Sequence, residues 1–371
     1  NSTVEVQIPI SNIKSEKNNY VNDLQTLGPE KFAKKIKETP YTLITDTTMR
    51  DAHQSLLATR MRTDDIVNIA EYYSQNLSNL FSLECWGGAT FDTSMRFLKE
   101  DPWDRLARLN NKAPNLLKQM LFRGSNAVGY KNYPDNVVKH FIQQSAETGI
   151  DVFRVFDSLN LIDNMRVAID EVRNQNKLCE GTICYTNDVT DTNEKKYTLK
   201  YYLDLVKDLE KAGANIIAIK DMAGLVKPNA IKLLVKEIKN VTNLPIHFHT
   251  HDTSGTSSAS VLAAIEENVD IVDLAIDSMS GLTSQPALGS VVSIMKQNNH
   301  DPHLDEECIR TLSLYWEQVR QNYQVFETDF KGGSSDVYVH QMPGGQFTNL
   351  KEQARSLGIT TDKWGRVANT Y

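Results

Sequence analysis

A run of closely spaced histidines carries the sharpest chemical signal in the sequence. His247, His249 and His251 are separated by single residues, and Asp252 follows directly. Because successive side chains of a β-strand point to opposite faces, residues two apart share a face. Two imidazoles on one face suit a divalent metal ion. The spacing does not say which two histidines bind, and we favour His249 and His251, the pair nearest the end of the strand.

Two imidazoles need further metal ligands. Asp51 is a candidate, because its carboxylate is a hard oxygen ligand and it follows the first apolar run of the chain. Lys220 comes directly after the apolar residues IIAI, where an amine would ordinarily reach solvent. Near a bound cation, however, a protonated ammonium is disfavoured. A neutral lysine could act as a base, form a Schiff base or add CO2 to become an anionic carbamate, and the sequence leaves these alternatives open.

Other polar residues could bind an anionic substrate. Arg50, Gln54 and Arg123 supply donors for a small carboxylate, and the planar fork of arginine can bind such a group through two hydrogen bonds. Each arginine taken alone could equally belong to an ordinary ion pair. Tyr130 follows in the same segment as Arg123 and could donate a hydrogen bond to a developing oxyanion, or simply be a half-buried aromatic residue of a loop.

These residues follow short apolar and β-branched runs that are separated by stretches with helical periodicity. The runs are residues 41–45, 80–85, 117–122, 152–156, 182–185, 216–219, 245–248 and 271–276. Strand, loop and helix in repeated order are typical of βαβ units. The number of repeats predicts an α/β fold of the (β/α)8 type, a TIM barrel. A doubly wound open sheet is the alternative, but no GxGxxG motif follows the first run.

Polar groups stand at the end of every predicted strand, where barrel enzymes carry their catalytic residues. In chain order they are Asp46 to Gln54, Glu84, Arg123, Asp157, Asn187 with Asp188, Lys220 with Asp221, His249 with His251, and Asp277. A single residue of this kind could be a solvated loop group. Polar residues at the ends of all eight predicted strands, however, predict a functional site at that end of the barrel.

The sequence divides into three predicted parts. Residues 1–40 form a polar N-terminal lead-in with a short helix near 29–37. Residues 41–300 form the barrel. Residues 301–371 break the strand–helix rhythm and predict the start of a mostly helical C-terminal extension, with a helix at 305–321, that this chain does not complete.

Composition excludes several classes of protein. Forty Lys and Arg against 47 Asp and Glu give a net charge of −7, which argues against a nucleic-acid or anionic-membrane binder. No apolar stretch is long enough to span a membrane, and the first 40 residues contain no apolar core of a secretory signal. The four cysteines form no CxxC pair, so we expect a reducing compartment and no secretion.

Seven motifs resemble those of the carboxyltransferase domains of pyruvate carboxylases, which are biotin-dependent carboxylases. The motifs are ITDTTMRDAHQSLLATR (44–60), ECWGGATFD (84–92), LFRGSNAVGY (121–130), FRVFDSLN (153–160), IKDMAG (219–224), HTHDTSG (249–255) and PGGQFTNL (343–350). The resemblance covers nearly the whole chain. Oxaloacetate decarboxylase α subunits and transcarboxylase subunits share the barrel motifs, but RGSNAVGY is more similar to the pyruvate carboxylase version.

The resemblance implies a divalent metal, Zn or Mn, bound by Asp51, Lys220, His249 and His251. In this family the lysine is carbamylated, so the resemblance selects one of the alternatives left open above and counts Lys220 among the catalytic residues.

Further catalytic roles also follow from the resemblance. Arg123 would hold the carboxylate of pyruvate, with help from Gln54. Arg50, Asp92 and Tyr130 would line the pocket that receives carboxybiotin. The implied reaction transfers a carboxyl group from carboxybiotin to pyruvate and gives oxaloacetate, through an enolate whose charge the metal and the arginines stabilise. The implied physiological roles are anaplerosis and gluconeogenesis.

The resemblance also implies partners. The chain has no AMKM biotinylation motif and no ATP-binding module, so biotin would arrive on a carrier domain after carboxylation by a biotin carboxylase domain. A proton-shuttle threonine, found in the family within a segment similar to VTPSSK, is expected to be missing, because Thr360, Thr361 and Thr370 lack that context. We expect a fragment of a multidomain homo-oligomer, a tetramer that pairs through its barrels, located in a bacterial cytoplasm or a mitochondrial matrix.

Three alternatives remain at this point. The same transfer could run in reverse, in an oxaloacetate decarboxylase or transcarboxylase subunit. Aldol-type barrels such as 3-hydroxy-3-methylglutaryl-CoA lyase and isopropylmalate synthase share the HxH motif, but Lys220 argues against them because they lack the lysine ligand. A truncated barrel could also serve mainly as an assembly module.

Overall fold

Eight parallel β-strands form a closed barrel at the centre of the protein, in a computed structural model that describes residues 3–11, 18–327, 330–359 and 361–370. The strands are β1 (Leu43–Asp46), β2 (Ser82–Gly87), β3 (Leu117–Phe122), β4 (Val152–Val155), β5 (Leu178–Cys184), β6 (Ile216–Asp221), β7 (Ile246–Thr250) and β8 (Ile271–Leu274). Each strand pairs with the next, and β8 pairs with β1. The barrel confirms the predicted (β/α)8 fold.

The strands are buried on both faces, which explains their apolar composition. All eight predicted runs coincide with strands, but some ends differ. The run predicted at 182–185 coincides only with the end of β5. The preceding Glu180 and Gly181 interrupt the apolar pattern in the sequence, although both residues are buried in the barrel. Polar residues buried inside a barrel need hydrogen-bond or ion-pair partners there, because solvent cannot reach them.

The α-helices surround the barrel of strands, and further helices form the N-terminal and C-terminal segments. They are α1 (Tyr20–Leu27), α2 (Pro29–Glu38), α3 (His53–Leu56), α4 (Thr63–Asn76), α5 (Thr90–Thr93), α6 (Pro102–Lys112), α7 (Asp135–Thr148), α8 (Ile162–Asn174), α9 (Leu199–Ala212), α10 (Pro228–Lys239), α11 (Ser257–Glu266), α12 (Leu288–Met295), α13 (Glu306–Gln321), α14 (Val337–His340), α15 (Gly344–Ser356) and α16 (Thr361–Thr370). Within the described residues, none is long and apolar enough to cross a membrane.

Local sequence explains where helices begin. Proline occupies an early position of α2, α6 and α10, where its missing N–H costs no hydrogen bond. Asp305 caps α13 by accepting hydrogen bonds from the backbone N–H groups of Glu307 and Cys308. The helix predicted over 305–321 therefore begins one residue later, with Asp305 as its cap.

The N-terminal segment closes one end of the barrel. Tyr20, Leu24, Phe32 and Ile36 pack in a buried cluster with residues at the starts of the strands, among them Phe81. This apolar plug leaves the C-terminal ends of the strands as the open rim, which is where (β/α)8 barrels carry their sites.

The C-terminal segment lies partly over that rim. The backbone N–H of Ser334 donates to the Thr253 carbonyl oxygen at 2.9 Å, and Oε1 of Gln341 accepts from the Thr186 hydroxyl at 3.0 Å. Thr360 lies outside the described residues, as does the side chain of Thr361. The three-part division at residues 40 and 300 stays a prediction.

Candidate metal centre and substrate pocket

Three side chains converge at the rim as the sequence predicts. Asp51 follows β1, while His249 and His251 belong to the end of β7 and the loop after it. Oδ2 of Asp51 lies 3.3 Å from Nε2 of His249 and 3.3 Å from Nε2 of His251. The two Nε2 atoms are 3.1 Å apart, and all three side chains are buried. A carboxylate and two imidazoles are a common ligand set for Zn and similar ions.

Hydrogen bonds at the far side of each ring orient the two imidazoles. Nδ1 of His251 lies 2.6 Å from the carbonyl oxygen of Thr283, and Nδ1 of His249 lies 2.6 Å from Oδ2 of Asp273. A carbonyl can only accept, so Nδ1 of His251 carries the proton, and an ionised Asp273 imposes the same tautomer on His249. Both Nε2 lone pairs then face each other and the Asp51 carboxylate. That convergence of lone pairs fits a cation, so these residues fit a divalent metal.

Electrostatics keep two of the candidate ligands, His249 and Asp51, in their metal-binding forms. Burial lowers the pKa of His249, and the positive charge of Lys220 lowers it further, well below its ordinary value. Burial raises the pKa of Asp51, but its surroundings, the Arg50 guanidinium first among them, more than reverse this and bring it well below the usual range. A neutral imidazole and an ionised carboxylate are the forms that coordinate metals.

Lys220 lies next to this cluster. It is paired in register with His249 on β7 and with Cys184 on β5, and only 5% of its surface is exposed. Its Nζ lies 5.6 Å from the centre of the Phe156 ring, and among the described residues it accepts or donates no hydrogen bond. Burial lowers the pKa of the Lys220 amine. The amine is therefore easier to deprotonate than an ordinary lysine.

Arg50 points into the barrel rather than towards solvent. It is 1% exposed, and its Nε donates to Oε1 of Glu84 at 2.9 Å. Nη1 donates to Oδ1 of Asp51 at 2.9 Å and to Oε1 of Gln54 at 3.2 Å. Arg50 thus links the candidate metal ligand Asp51 to the candidate substrate residue Gln54. Its predicted contact with carboxybiotin stays a prediction.

Gln54 has one end of its amide fixed. Its Oε1 accepts from Arg50 and from the backbone N–H of Ala89 at 3.0 Å. Because both contacts use the oxygen, the Nε2 group is the end that remains for a ligand; it has no partner in the part of the chain that the structure describes. Such an oriented donor suits an anionic oxygen.

Arg123 stands at the end of β3 without an acidic partner among the described residues. Its Nη1 makes long hydrogen bonds, 3.3 Å to the Val128 carbonyl and 3.4 Å to the Gly129 carbonyl, and its guanidinium lies 5.3 Å from the Tyr130 ring centre. Burial lowers the pKa of Arg123. A largely buried guanidinium without a carboxylate is costly unless an anion binds to it.

Apolar side chains form a wall beside Lys220. Leu121, Phe156 and Cys184 are buried together, and Met222 packs on them. The wall lies at the same end of strands β3 to β6 as Arg123 and Lys220. A small ligand with one anionic end and one apolar end would be matched here by opposite surfaces.

The two remaining predicted residues lie further out. Asp92 forms an ion pair with Arg96 at 3.1 Å, one helical turn away. Tyr130 is 67% exposed, and its ring lies under the Arg123 guanidinium. Within the described residues no hydrogen bond joins Asp92 to Arg50 or Tyr130. Their predicted role in a biotin pocket is not tested by these contacts.

Sequence reasoning missed the residues that support the ligands. Oδ2 of Asp273 accepts from Nδ1 of His249, and Gln285 donates from Nε2 to Oδ2 of Asp51 at 3.0 Å. Asp273 stands inside the apolar run IVDLAI, and an acid in a buried strand was a readable sign of a buried partner. Gln285 lies in a loop and gave no comparable signal.

Comparison with known proteins identifies the class first. A family model described as HMGL-like matches residues 138–314, and a model described as a conserved carboxylase domain matches residues 337–371. The carboxyl transferase domain of Rhizobium etli pyruvate carboxylase, solved with pyruvate, has a TM-score of 0.97 at 59% identity, with 100% of this chain and 62% of that chain covered. The chain is thus a (β/α)8 barrel that is similar over its whole length to a solved carboxyl transferase domain.

Curated relatives narrow the class to one family. A Bacillus subtilis pyruvate carboxylase is 51% identical over 348 residues, which cover 94% of this chain and 30% of that protein. The mitochondrial pyruvate carboxylase of Rattus norvegicus is 47% identical over 373 residues, which cover 100% of this chain and 32% of that protein. The chain belongs to the pyruvate carboxylase family as a carboxyltransferase domain, and it spans about 30% of the length of these relatives.

Proposed function

We propose that this barrel transfers a carboxyl group from carboxybiotin to pyruvate and forms oxaloacetate. The observation that carries the proposal is the convergence of Asp51, His249 and His251 beside a buried lysine and an arginine that has no acidic partner in the described part of the chain. The relatives' names support the same reaction, because they are pyruvate carboxylases. Their similarity does not favour the decarboxylase, transcarboxylase or assembly-module alternatives.

We infer that Zn or Mn is held by Asp51, His249, His251 and a carbamylated Lys220. Three protein ligands leave a tetrahedral metal site without its fourth ligand. Lys220 is the neighbouring candidate, because it is paired in register with His249. In carbamylation the Nζ lone pair forms a bond to the carbon of CO2, and Nζ releases a proton. The low pKa that burial gives the amine favours the unprotonated form that this step requires.

Pyruvate would bind between Arg123 and the apolar wall. The Arg123 guanidinium would hold the carboxylate through two hydrogen bonds, and the Nε2 group of Gln54 would donate a third. The methyl group would lie towards Leu121 and Phe156, which exclude water from the reacting carbon. A bound divalent metal supplies Lewis-acid stabilisation of negative charge at this site. Arg50 keeps Asp51 ionised and Gln54 oriented throughout.

Carboxybiotin would enter on the solvent side of Arg123. Tyr130, which is exposed and lies against the Arg123 guanidinium, would contact carboxybiotin together with Asp92 and Arg50. One related Rhizobium etli structure contains pyruvate and biocytin. Biotin would be delivered by a carrier domain that a biotin carboxylase domain has charged, within a homo-oligomer that pairs through its barrels. Bacterial cytoplasm or mitochondrial matrix remains the predicted location.

The test measures metal and activity in the same preparations. His249→Ala should lose both the bound metal, by elemental analysis, and biotin-dependent decarboxylation of oxaloacetate, because one ligand is removed. The matched control is His140→Ala, since His140 is exposed on α7. Metal content unchanged by His249→Ala would refute the metal site. Wild-type protein that binds metal but shows no biotin-dependent turnover would refute the activity of this chain.

A further inference from the structure

We propose that Asp273, held by Arg154 and His247, is a positioning residue that fixes the orientation and tautomer of His249. Asp273 belongs to β8 and is fully buried inside the barrel. It lies outside the group of candidate ligands and touches that group only through the far side of the His249 ring. The inference rests on the metal centre of the proposed function and adds a residue to it.

Both carboxylate oxygens of Asp273 have fixed donors. Oδ2 accepts from Nδ1 of His249 at 2.6 Å and from Nη1 of Arg154. Oδ1 lies 2.5 Å from Nε2 of His247 and 3.3 Å from Nη2 of Arg154. With three side chains around it, the carboxylate cannot rotate without breaking several charge-assisted hydrogen bonds. It therefore presents Oδ2 to His249 in a single orientation.

The donors come from distant parts of the barrel. Arg154 belongs to β4, which lies opposite β8 in the closed order of strands, so its side chain crosses the interior. Nε of Arg154 donates to Oε2 of Glu180 at 2.7 Å, and Nδ1 of His247 lies 2.5 Å from Oε1 of the same carboxylate. Glu180 closes the network but makes no contact with His249.

Stability alone gives a weak reason for such a network. Removing several charges from water costs free energy, and well-packed apolar residues often replace a buried ion pair without loss of stability. Metal-binding histidines, in contrast, commonly donate their second N–H to a carboxylate, which sets the tautomer and strengthens the nitrogen that binds the metal. The network places such a carboxylate behind His249, whereas His251 uses the neutral carbonyl of Thr283.

The two histidines therefore differ in what holds them. Loss of the Asp273 charge should loosen His249 and allow its proton to move to Nε2, the nitrogen that faces Asp51. It should leave the hydrogen bond between His251 and Thr283 in place. A partial loss of metal affinity is expected, in contrast to the complete loss expected when a ligand itself is removed.

The test compares two variants of the whole chain in direct titrations with Zn2+ and with Mn2+ against a competing chelator. Asp273→Asn should raise the dissociation constant for the metal about 10- to 100-fold, the usual cost of removing an outer carboxylate. The matched control is Glu180→Gln, which makes the same chemical change in the same network and leaves His249 untouched. Its metal affinity should stay close to that of the wild type.

The outcomes separate this inference from the proposed function. If the wild type binds neither ion, the metal centre itself is wrong. If the wild type binds metal and Asp273→Asn binds it equally well, the positioning role is overturned, and equal losses in both variants also overturn it. If Asp273→Asn does not fold, the double variant Arg154→Met, Asp273→Asn removes one charge of each sign and takes its place, with circular dichroism as the folding check.

Discussion

Lys220 and His249 are cross-strand partners in the ladder between β6 and β7. Side chains at paired positions project from the same face of a sheet, so the amine and the imidazole share one side of the barrel mouth. The positive charge of Lys220 contributes to the low pKa of His249, after burial itself. A charged ammonium would also repel a metal ion held by that imidazole. The pairing therefore favours a neutral or carbamylated Lys220.

Replacement of Lys220 tests this relationship. Lys220→Ala should lower kcat for biotin-dependent oxaloacetate decarboxylation at least about 100-fold. Removal of a metal ligand should reduce activity more than removal of a residue that only hydrogen-bonds to a ligand. In native mass spectrometry the wild type should carry the added mass of one CO2 and the variant should not. Lys34→Ala is the control, since that side chain is exposed on α2. Full activity in Lys220→Ala would contradict the ligand role.

Arg123 should determine how well pyruvate binds. Arg123→Lys keeps the charge but cannot form two parallel hydrogen bonds with a carboxylate. Hydrogen bonds to charged groups contribute about 1.5–3 kcal/mol, so kcat/KM for pyruvate should fall roughly 10- to 100-fold. Steady-state kinetics with varied pyruvate measure this. Arg108→Lys should leave the kinetics unchanged, because Arg108 lies on the surface in ion pairs with Asp64 and Asp104. Unchanged KM and kcat in Arg123→Lys would rule the assignment out.

Gly88 leaves room for two side chains of the pocket. Its φ is +55°, and a Cβ there would lie 2.6 Å from Oε1 of Gln54 and 3.0 Å from Nη1 of Arg50. Gly88→Ala should therefore displace Gln54 and raise KM for pyruvate, with metal content unchanged. Gly332→Ala is the matched control, because no atom of the described residues lies within 4 Å of a Cβ at that position. Equal KM values for both variants would show that Gln54 does not depend on this space.

Asp46 should make stability depend on pH. Burial raises the pKa of this carboxyl from 3.8 to about 6, although hydrogen bonds from Thr48 and Tyr73 lower it in part. The folded state thus binds the proton more tightly than the unfolded chain, so the carboxyl destabilises the fold as pH rises from 3.8 to about 6. At pH values above this range, the ionised carboxyl lowers the free energy of unfolding by up to about 3 kcal/mol.

The variant Asp46→Asn removes this titration. The difference in urea midpoint, variant minus wild type, should therefore be larger near pH 7 than near pH 4.5. These two pH values lie about one pH unit or more above and below the raised pKa of Asp46. Asp64→Asn, at an exposed carboxyl, is the control and should show no such difference. A constant difference between Asp46→Asn and wild type at the two pH values would contradict the raised pKa.

Much of the fold could be predicted from local pattern. Alternation of apolar strands with amphipathic helices is a property of neighbouring residues, and it identified every strand of the barrel. The ends were less certain where polar residues belong to the interior. Glu180 interrupts an apolar run, yet it is buried because Arg154 on the neighbouring strand and His247 two strands away neutralise it. Such pairings join residues far apart in the chain, and no local pattern contains them.

The candidate site divides in the same way. The sequence by itself determined that Asp51, Lys220 and the histidines stand at strand ends, because residue type and spacing are sufficient for that. Parity could not separate His247 from its neighbours. Only the tertiary structure decided that His249 and His251 face Asp51 whereas His247 lies deeper, between Glu180 and Asp273. The physical reason is depth in the closed barrel: the residues facing each histidine come from other strands, and only barrel closure determines which ones they are.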